Sequence, residues 1–199
     1  MTETNMITSN PYNGERVPGA VGFPLPGVSV RITGLKDGEV LPADEVGMIE
    51  VKGPNVFKGY WRMPEKTRAE FRDDGYFITG DLGVKDDRGY ISIVGRNKDL
   101  VITGGYNVYP REIEAALERH PLVAAAAVVP APDPLWHEVG IAYVSVHAPV
   151  DAMTLEAHCR ASLANYKIPK RIVIENDLPL LPIGKIDKGA LKRRAARGE

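Results

Sequence analysis

One cysteine in 199 residues, Cys159, leaves no internal disulfide to form and gives no argument for an oxidising compartment. No apolar run approaches the roughly 20 residues that a membrane helix needs. The opening residues Met1-Thr2-Glu3-Thr4-Asn5 lack the basic region and apolar core of a secretion signal, so the cytosol is the expected compartment. Charge of one sign is also missing. Lys and Arg number 25 against 26 Asp and Glu, a net charge of −1, so no global field draws in nucleic acid or an anionic membrane. Any anion must be met by a few placed residues. The four histidines, His120, His137, His147 and His158, have no second ligand at metal-binding spacing in the sequence, which argues against a zinc site. No Gly-x-Ser-x-Gly elbow occurs and Cys159 has no evident base beside it, so a hydrolase triad has no support. Internal repeats and low-complexity stretches are absent as well.

What is present fits an ordinary globular protein, with 44% hydrophobic and 26% charged residues. The length allows one large domain or two small ones. Short alternating runs, Val28 to Ile32, Met48 to Lys52 and Tyr90 to Val94, predict strands in a sheet-rich region up to about Gly95. One helix interrupts them, opened by Pro64 and stopped by Asp73-Asp74-Gly75. Beyond Gly95, helices and strands alternate. Pro110 opens a helix with Glu112 and Glu114 in its early turns, where acidic side chains suit the dipole, and with Ile113, Ala116 and Leu117 on one face. Strands are predicted over Val123–Val129, Val139–Val146 and Arg171–Glu175. Between the last two, a helix capped by Thr154 carries Leu155, Cys159 and Leu163 on one stripe, which makes Cys159 a packing residue rather than a reactive thiol. A basic helix with a solvated face ends the chain over Asp187–Arg197.

Three segments can carry chemistry, and each also has an ordinary reading. Pro182-Ile183-Gly184-Lys185-Ile186 puts a lysine after a glycine turn, where a point charge can meet a phosphate or carboxylate, or can simply be solvated. It is not a phosphate-binding P-loop, because Pro179 and Ile186 stand where that loop needs Gly and Ser or Thr. Tyr76-Phe77-Ile78-Thr79-Gly80-Asp81 places a carboxylate after a strand and a glycine, suited to ribose hydroxyls or to a turn. Thr103-Gly104-Gly105-Tyr106-Asn107 follows an apolar run, and its two glycines allow either close approach to a ligand or a plain hairpin turn.

The order of these segments is more specific than any one of them. Met1-Thr2-Glu3, Tyr76 to Asp81, Gly95-Arg96-x-Lys98-Asp99, Gly104-Gly105-Tyr106-Asn107-Val108-Tyr109-Pro110-x-Glu112-Ile113-Glu114 and Pro182-x-Gly184-Lys185-Ile186 resemble the successive late core motifs of adenylate-forming enzymes. That superfamily includes acyl-CoA synthetases, peptide-synthetase adenylation domains and luciferases. The resemblance implies an α+β fold in two parts. Residues 1–97 would be the β-rich C-terminal subdomain of a larger AMP-binding domain whose N-terminal part, with its phosphate loop, is not in this sequence. Residues 98–199 would be a small α+β domain with a three-stranded sheet and flanking helices, with a hinge at about 96–99.

The resemblance also implies roles. The parent enzyme would join a small-molecule carboxylate to ATP, giving acyl-adenylate and pyrophosphate, and would then form a CoA thioester with loss of AMP. Lys185 would bridge the carboxylate and α-phosphate. Thr2 would touch the phosphate, Glu3 would hold Mg2+, and Asp81 and Arg96 would bind the ribose. Lys98 and Asp99 would form the hinge, and Gly104, Gly105, Tyr106 and Asn107 would line the pantetheine channel. The runs Thr2 to Met6, Ser9 to Gly19 and Val51 to Trp61 look most like malonyl-CoA synthetases. There a second carboxylate needs a cation, for which Arg16 is a candidate and also an ordinary surface arginine. A medium- or long-chain fatty-acyl-CoA ligase shares every motif used here. A peptide-synthetase domain fits less well. A third reading is a folded, non-catalytic piece that binds nucleotide or CoA weakly.

Overall fold

Six strands form an antiparallel sheet in the first half of the chain, described here, like all of residues 1–199, from a computed structural model. They are β1 (Thr8–Ser9), β2 (Ala20–Pro24), β3 (Ser29–Thr33), β4 (Gly47–Lys52), β5 (Phe77–Lys85) and β6 (Ile91–Arg96), in the spatial order β1-β2-β6-β5-β4-β3. Their period-2 pattern buries Val30, Ile32, Ile49, Val51 and Ile91 together. Helix α1 (Pro64–Glu70) has Pro64 in its first turn and stops where Phe71 becomes extended.

The other face of this sheet holds an unexpected charge. Glu50, between buried Ile49 and Val51, has a side chain with no solvent exposure. Its Oε1 accepts hydrogen bonds from Thr33 Oγ1 at 3.0 Å and Arg72 Nε at 2.8 Å, and Oε2 accepts from Arg31 Nε at 2.8 Å. Arg31 continues to Asp74 at 2.6 Å and lies over the Tyr76 ring. A buried carboxylate is tolerable only when its lone pairs are filled in this way. The alternating pattern locates the strand but does not reveal that its polar face is covered.

In the second half, β7 (Val101–Thr103) and β8 (Tyr106–Val108) form a hairpin closed by Gly104 and Gly105 alone. Both glycines have positive φ, +55° and +86°, as a tight hairpin of right-handed twist requires. Helix α2 (Pro110–Glu118) follows, then β9 (Val123–Asp133), β10 (His137–Val146), α3 (Ala152–Arg160), β11 (Arg171–Glu175) and α4 (Lys188–Ala196). The sheet order is β11-β10-β9; β9 and β10 are antiparallel, while β10 and β11 are parallel and joined through α3.

Alternation along β9 and β10 then makes three layers. Ala126, Val128, Ala142 and Val144 meet Ile113 and Leu117 of α2 and Leu155 and Cys159 of α3. Ala127, Val129, Ile141 and Tyr143 meet Leu191 and Ala195 of α4. Each Val, Leu or Ile side chain fully buried this way contributes about 1.5–3 kcal/mol, and the fold is α+β. No helix is long and apolar enough to cross a membrane.

Several local expectations need correction. Asp151, not Thr154, caps α3: its side chain accepts the Thr154 N–H at 2.7 Å, and this bond holds the carboxyl below its usual range. The helix ends at Arg160, so Leu163 reaches the core from beyond it. Strand β9 runs on to Asp133, past Pro130 and Pro132. Proline cannot donate to a ladder, but β9 is an edge strand and tolerates it. The last helix is not simply solvated: Lys188 pairs with buried Glu114, and Arg194 pairs with Glu175 and lies over Tyr143. Cys159 is fully buried, and burial pushes its thiol up, away from reactivity.

Candidate functional site

The chain folds as two compact units, Met1–Lys98 and Asp99–Glu199, and each carries its own group of the residues singled out above. In the first, Asp81 does not follow a strand; it sits within β5. Between the pairs Met48↔Leu82 and Glu50↔Ile78, β4 has one residue and β5 has three, so Thr79, Gly80 and Asp81 form a bulge. Gly80, at φ +74°, allows that bend, and bulges of this kind re-aim a side chain. Thr79 fixes the bulge: its hydroxyl donates to Ile49 O at 2.9 Å and accepts from Asp81 N–H at 3.1 Å.

Asp81 lies opposite Arg96 in the β5–β6 ladder, with Oδ1 2.9 Å from Nε. Its carboxylate is mostly covered, whereas the guanidinium is half exposed and keeps donors for a ligand. Burial raises the Asp81 pKa, and Arg96, the N-terminal amine and Lys98 oppose that rise. Asp81 also borders a cavity of about 150 Å³ floored by Ile49, Ile91 and Ile93. That volume is below the roughly 300 Å³ at which small-molecule pockets begin, too small to enclose a nucleotide.

Thr2 is exposed, and Glu3 is half-buried and held by its backbone, since Phe57 N–H donates to Glu3 O at 2.8 Å. Asn55 Nδ2 donates to Thr4 O at 2.7 Å beside it. The negative charge of the Glu3 carboxylate adds to the rise of the Asp81 pKa. Glu3 Oε1 is 3.4 Å from Tyr60 Oη, which donates more closely, at 2.7 Å, to Glu70. Burial and these carboxylates push the Tyr60 phenol well above its usual range, so it remains a donor. No group of three or more His, Cys, Asp or Glu converges anywhere. A magnesium held by protein ligands alone is therefore not built here. The single Glu3 carboxylate, on a backbone held by Phe57, fits the common mode in which Mg2+ would take one or two carboxylates and complete its shell with substrate phosphate. Arg16 is exposed and makes no ion pair.

In the second unit, the Gly104–Gly105 hairpin packs beside Trp136. Thr103 Oγ1 donates to Glu138 O at 2.7 Å and Gly104 N–H to Trp136 O at 3.3 Å. A Cβ on Gly104 would stand 2.7 Å from the Trp136 ring, but one on Gly105 would meet nothing within 4 Å. Gly104 thus answers to packing and Gly105 to open space. Tyr106 stacks on Tyr166 at 4.9 Å, and both rings border a mainly apolar cavity of about 290 Å³ that Trp136 also lines. Asn107 is exposed on the same hairpin.

Lys185 is on a second tight hairpin. Leu180 bridges Ile186, Leu181 N–H donates to Lys185 O at 2.7 Å, and Gly184 N–H donates to Leu181 O at 2.9 Å, with Gly184 at φ +76°. The Lys185 ammonium is exposed and has no ion pair or hydrogen bond. The turn is thus pinned at its base, while its charge is free for an anion. Lys98 and Asp99 lie in a single 3-10 turn between the units. The structure also brings His120 and His158 together, with ring centroids 5.1 Å apart, which their distance in sequence conceals.

Against known families, residues 1–61 match the model of the AMP-binding enzyme, and residues 112–185 match that of the AMP-binding enzyme C-terminal domain. The chain belongs to the AMP-binding enzyme family. The AMP-binding match covers β1 to β4, and the C-terminal-domain match runs from α2 to Lys185 itself. Among relatives, the chain is 45% identical to a feruloyl-CoA synthase from Amycolatopsis sp over 95% of this chain and 38% of that protein. It is 41% identical to a malonate–CoA ligase from Arabidopsis thaliana, over 97% and 33%. Among solved structures, ATP-bound MatB from Rhodopseudomonas palustris superposes with a TM-score of 0.92 and 54% identity over 98% of this chain and 39% of that one. The chain therefore spans about two-fifths or less of the length of these AMP-binding enzymes.

Proposed function

We propose that this chain is the later part of an acyl-CoA synthetase that activates malonate with ATP and transfers the acyl group to CoA. What supports the chemistry most is Lys185, an unpaired cation on a hairpin whose backbone is fixed, in a region that matches the AMP-binding enzyme C-terminal domain. Formation of the acyl-adenylate gathers negative charge around one phosphorus, so a placed ammonium stabilises the transition state more than the separated substrates. Lys185 bridges the attacking carboxylate and the α-phosphate. Asp81 accepts the ribose hydroxyls from its bulge, and Arg96 donates to them. Thr2 donates to the phosphate. Glu3 would supply a carboxylate oxygen to Mg2+, and the ion would neutralise phosphate charge. Lys98 and Asp99 serve as the hinge. The malonyl assignment rests on the runs Ser9 to Gly19 and Val51 to Trp61 and on the identity with the malonate–CoA ligase.

Gly104 to Asn107 then form a wall of the pantetheine channel, and this gives a test of the second half-reaction. Gly105→Leu in the full-length enzyme lowers thioester formation from supplied acyl-adenylate about 10²-fold, the scale of misplacing reactants by about 1 Å, and spares adenylation. A Gly105→Ala control separates backbone strain from blockage, because alanine carries the same left-handed penalty of about 1–2 kcal/mol with a small side chain. Normal thioester formation by Gly105→Leu removes the hairpin from the channel.

A further inference from the structure

We propose that Glu114 and Lys188 form a clasp around the edge of the three-stranded sheet that positions Lys185 for adenylation; the proposal rests on the role given to Lys185 above. Glu114 is on α2, which covers one face of the sheet, and Lys188 begins α4, which covers the other. Between them runs β9, an edge strand. Glu114 Oε1 accepts the main-chain N–H of Val128 in that edge at 2.9 Å and, at 2.6 Å, the ammonium of Lys188. The Glu114 side chain is only 6% exposed, and Lys188 reaches it from the far side with 31% exposure. One carboxylate thus pairs an otherwise open edge N–H and ties together helices from opposite faces. The nearest other charge is Arg111, 4.0 Å from Oε2.

The clasp has a consequence for chemistry because of where Lys188 stands. It is three residues after Lys185, and Asp187 between them is fixed twice, by its N–H to Pro179 O at 2.7 Å and by its side chain capping Ala190 at 2.9 Å. The Lys185 hairpin therefore has a stem closed by backbone bonds, and the clasp seats that stem against α2. Helix α2 itself starts two residues after β8 of the glycine hairpin. Glu114 and Lys188 are positioning residues; neither has to touch substrate.

The test uses full-length enzyme. Removing one partner strands a charge and endangers folding, so the decisive variant is Glu114→Gln with Lys188→Met, which removes both charges at similar volume. We expect this double variant to keep its thermal midpoint within a few degrees and its KM for ATP. Its kcat for adenylation falls about tenfold to 10²-fold, the scale of a small misplacement of a catalytic group, while thioester formation from supplied acyl-adenylate is unchanged. Lys188→Arg, which keeps the pair, retains adenylation. Adenylation at the parent rate in the folded double variant, or an equal loss in both half-reactions, overturns the clasp alone. Parent-rate adenylation by Lys185→Ala instead overturns the role of Lys185, and the clasp's function with it.

Discussion

Lys185→Ala in the full-length enzyme lowers pyrophosphate release about 10³-fold, the scale of removing a positioned charge or oxyanion donor from a phosphoryl or acyl transition state. That factor corresponds to about 4 kcal/mol of transition-state stabilisation. Thioester formation from supplied acyl-adenylate changes little, because the carboxylate is already joined to the α-phosphate as a mixed anhydride, and the thiol then attacks the acyl carbon and displaces AMP. The structure makes the variant clean. The Lys185 side chain has no partner in the fold to leave unpaired, and the hairpin is held by main-chain bonds that alanine retains. A loss of stability therefore cannot account for the effect, and an equal loss in both half-reactions removes the proposed role. Lys185→Arg recovers little, since a planar fork does not replace a compact ammonium at the same position.

The second large effect is on stability. Glu50→Ala unfolds the first unit at a midpoint about 10–20 °C lower, from a cost of about 2–4 kcal/mol. Glu50 accepts three hydrogen bonds, two of them from guanidinium groups, each such bond contributing about 1.5–3 kcal/mol. The sum is reduced because Arg31 and Arg72 keep 20% and 39% exposure and can be solvated when the carboxylate is gone. Asp74 also retains Arg31. Thermal unfolding of the chain checks this, and a midpoint within about 2 °C of the parent would show that Glu50 contributes no more than a surface pair does. Glu50→Gln is milder, because it keeps the volume and one acceptor.

Much of the fold was legible in the sequence. Strand and helix positions followed from period and punctuation: β11 has its expected bounds, and α2 starts at its proline. Gly104 and Gly105 were legible as a turn because only glycine readily takes positive φ in two successive positions. The roles assigned to the site came from motif order and remain proposals. What was not legible depends on neighbours distant in sequence. Asp81 follows a glycine in the sequence, but its aim comes from a bulge opposite Ile49 and from the Thr79 hydroxyl. Glu114 reads as an acidic residue suited to a helix start. Its position beside Ile113 and three residues before Leu117 places it on the apolar face, which was the available signal that it is buried. Its partner, Lys188, lies 74 residues away, and no local pattern joins them. Likewise, the cover over Glu50 comes from Arg72 and Arg31, whose positions depend on how β3, β4 and the turn after α1 come together.

The choice of acid tests the account most directly. Pyrophosphate release from ATP by the full-length enzyme is measured with malonate, octanoate and palmitate in turn, with Mg2+ present. Release that depends on malonate and is lost on Lys185→Ala is the expected result. Release driven by octanoate or palmitate and not by malonate would contradict it.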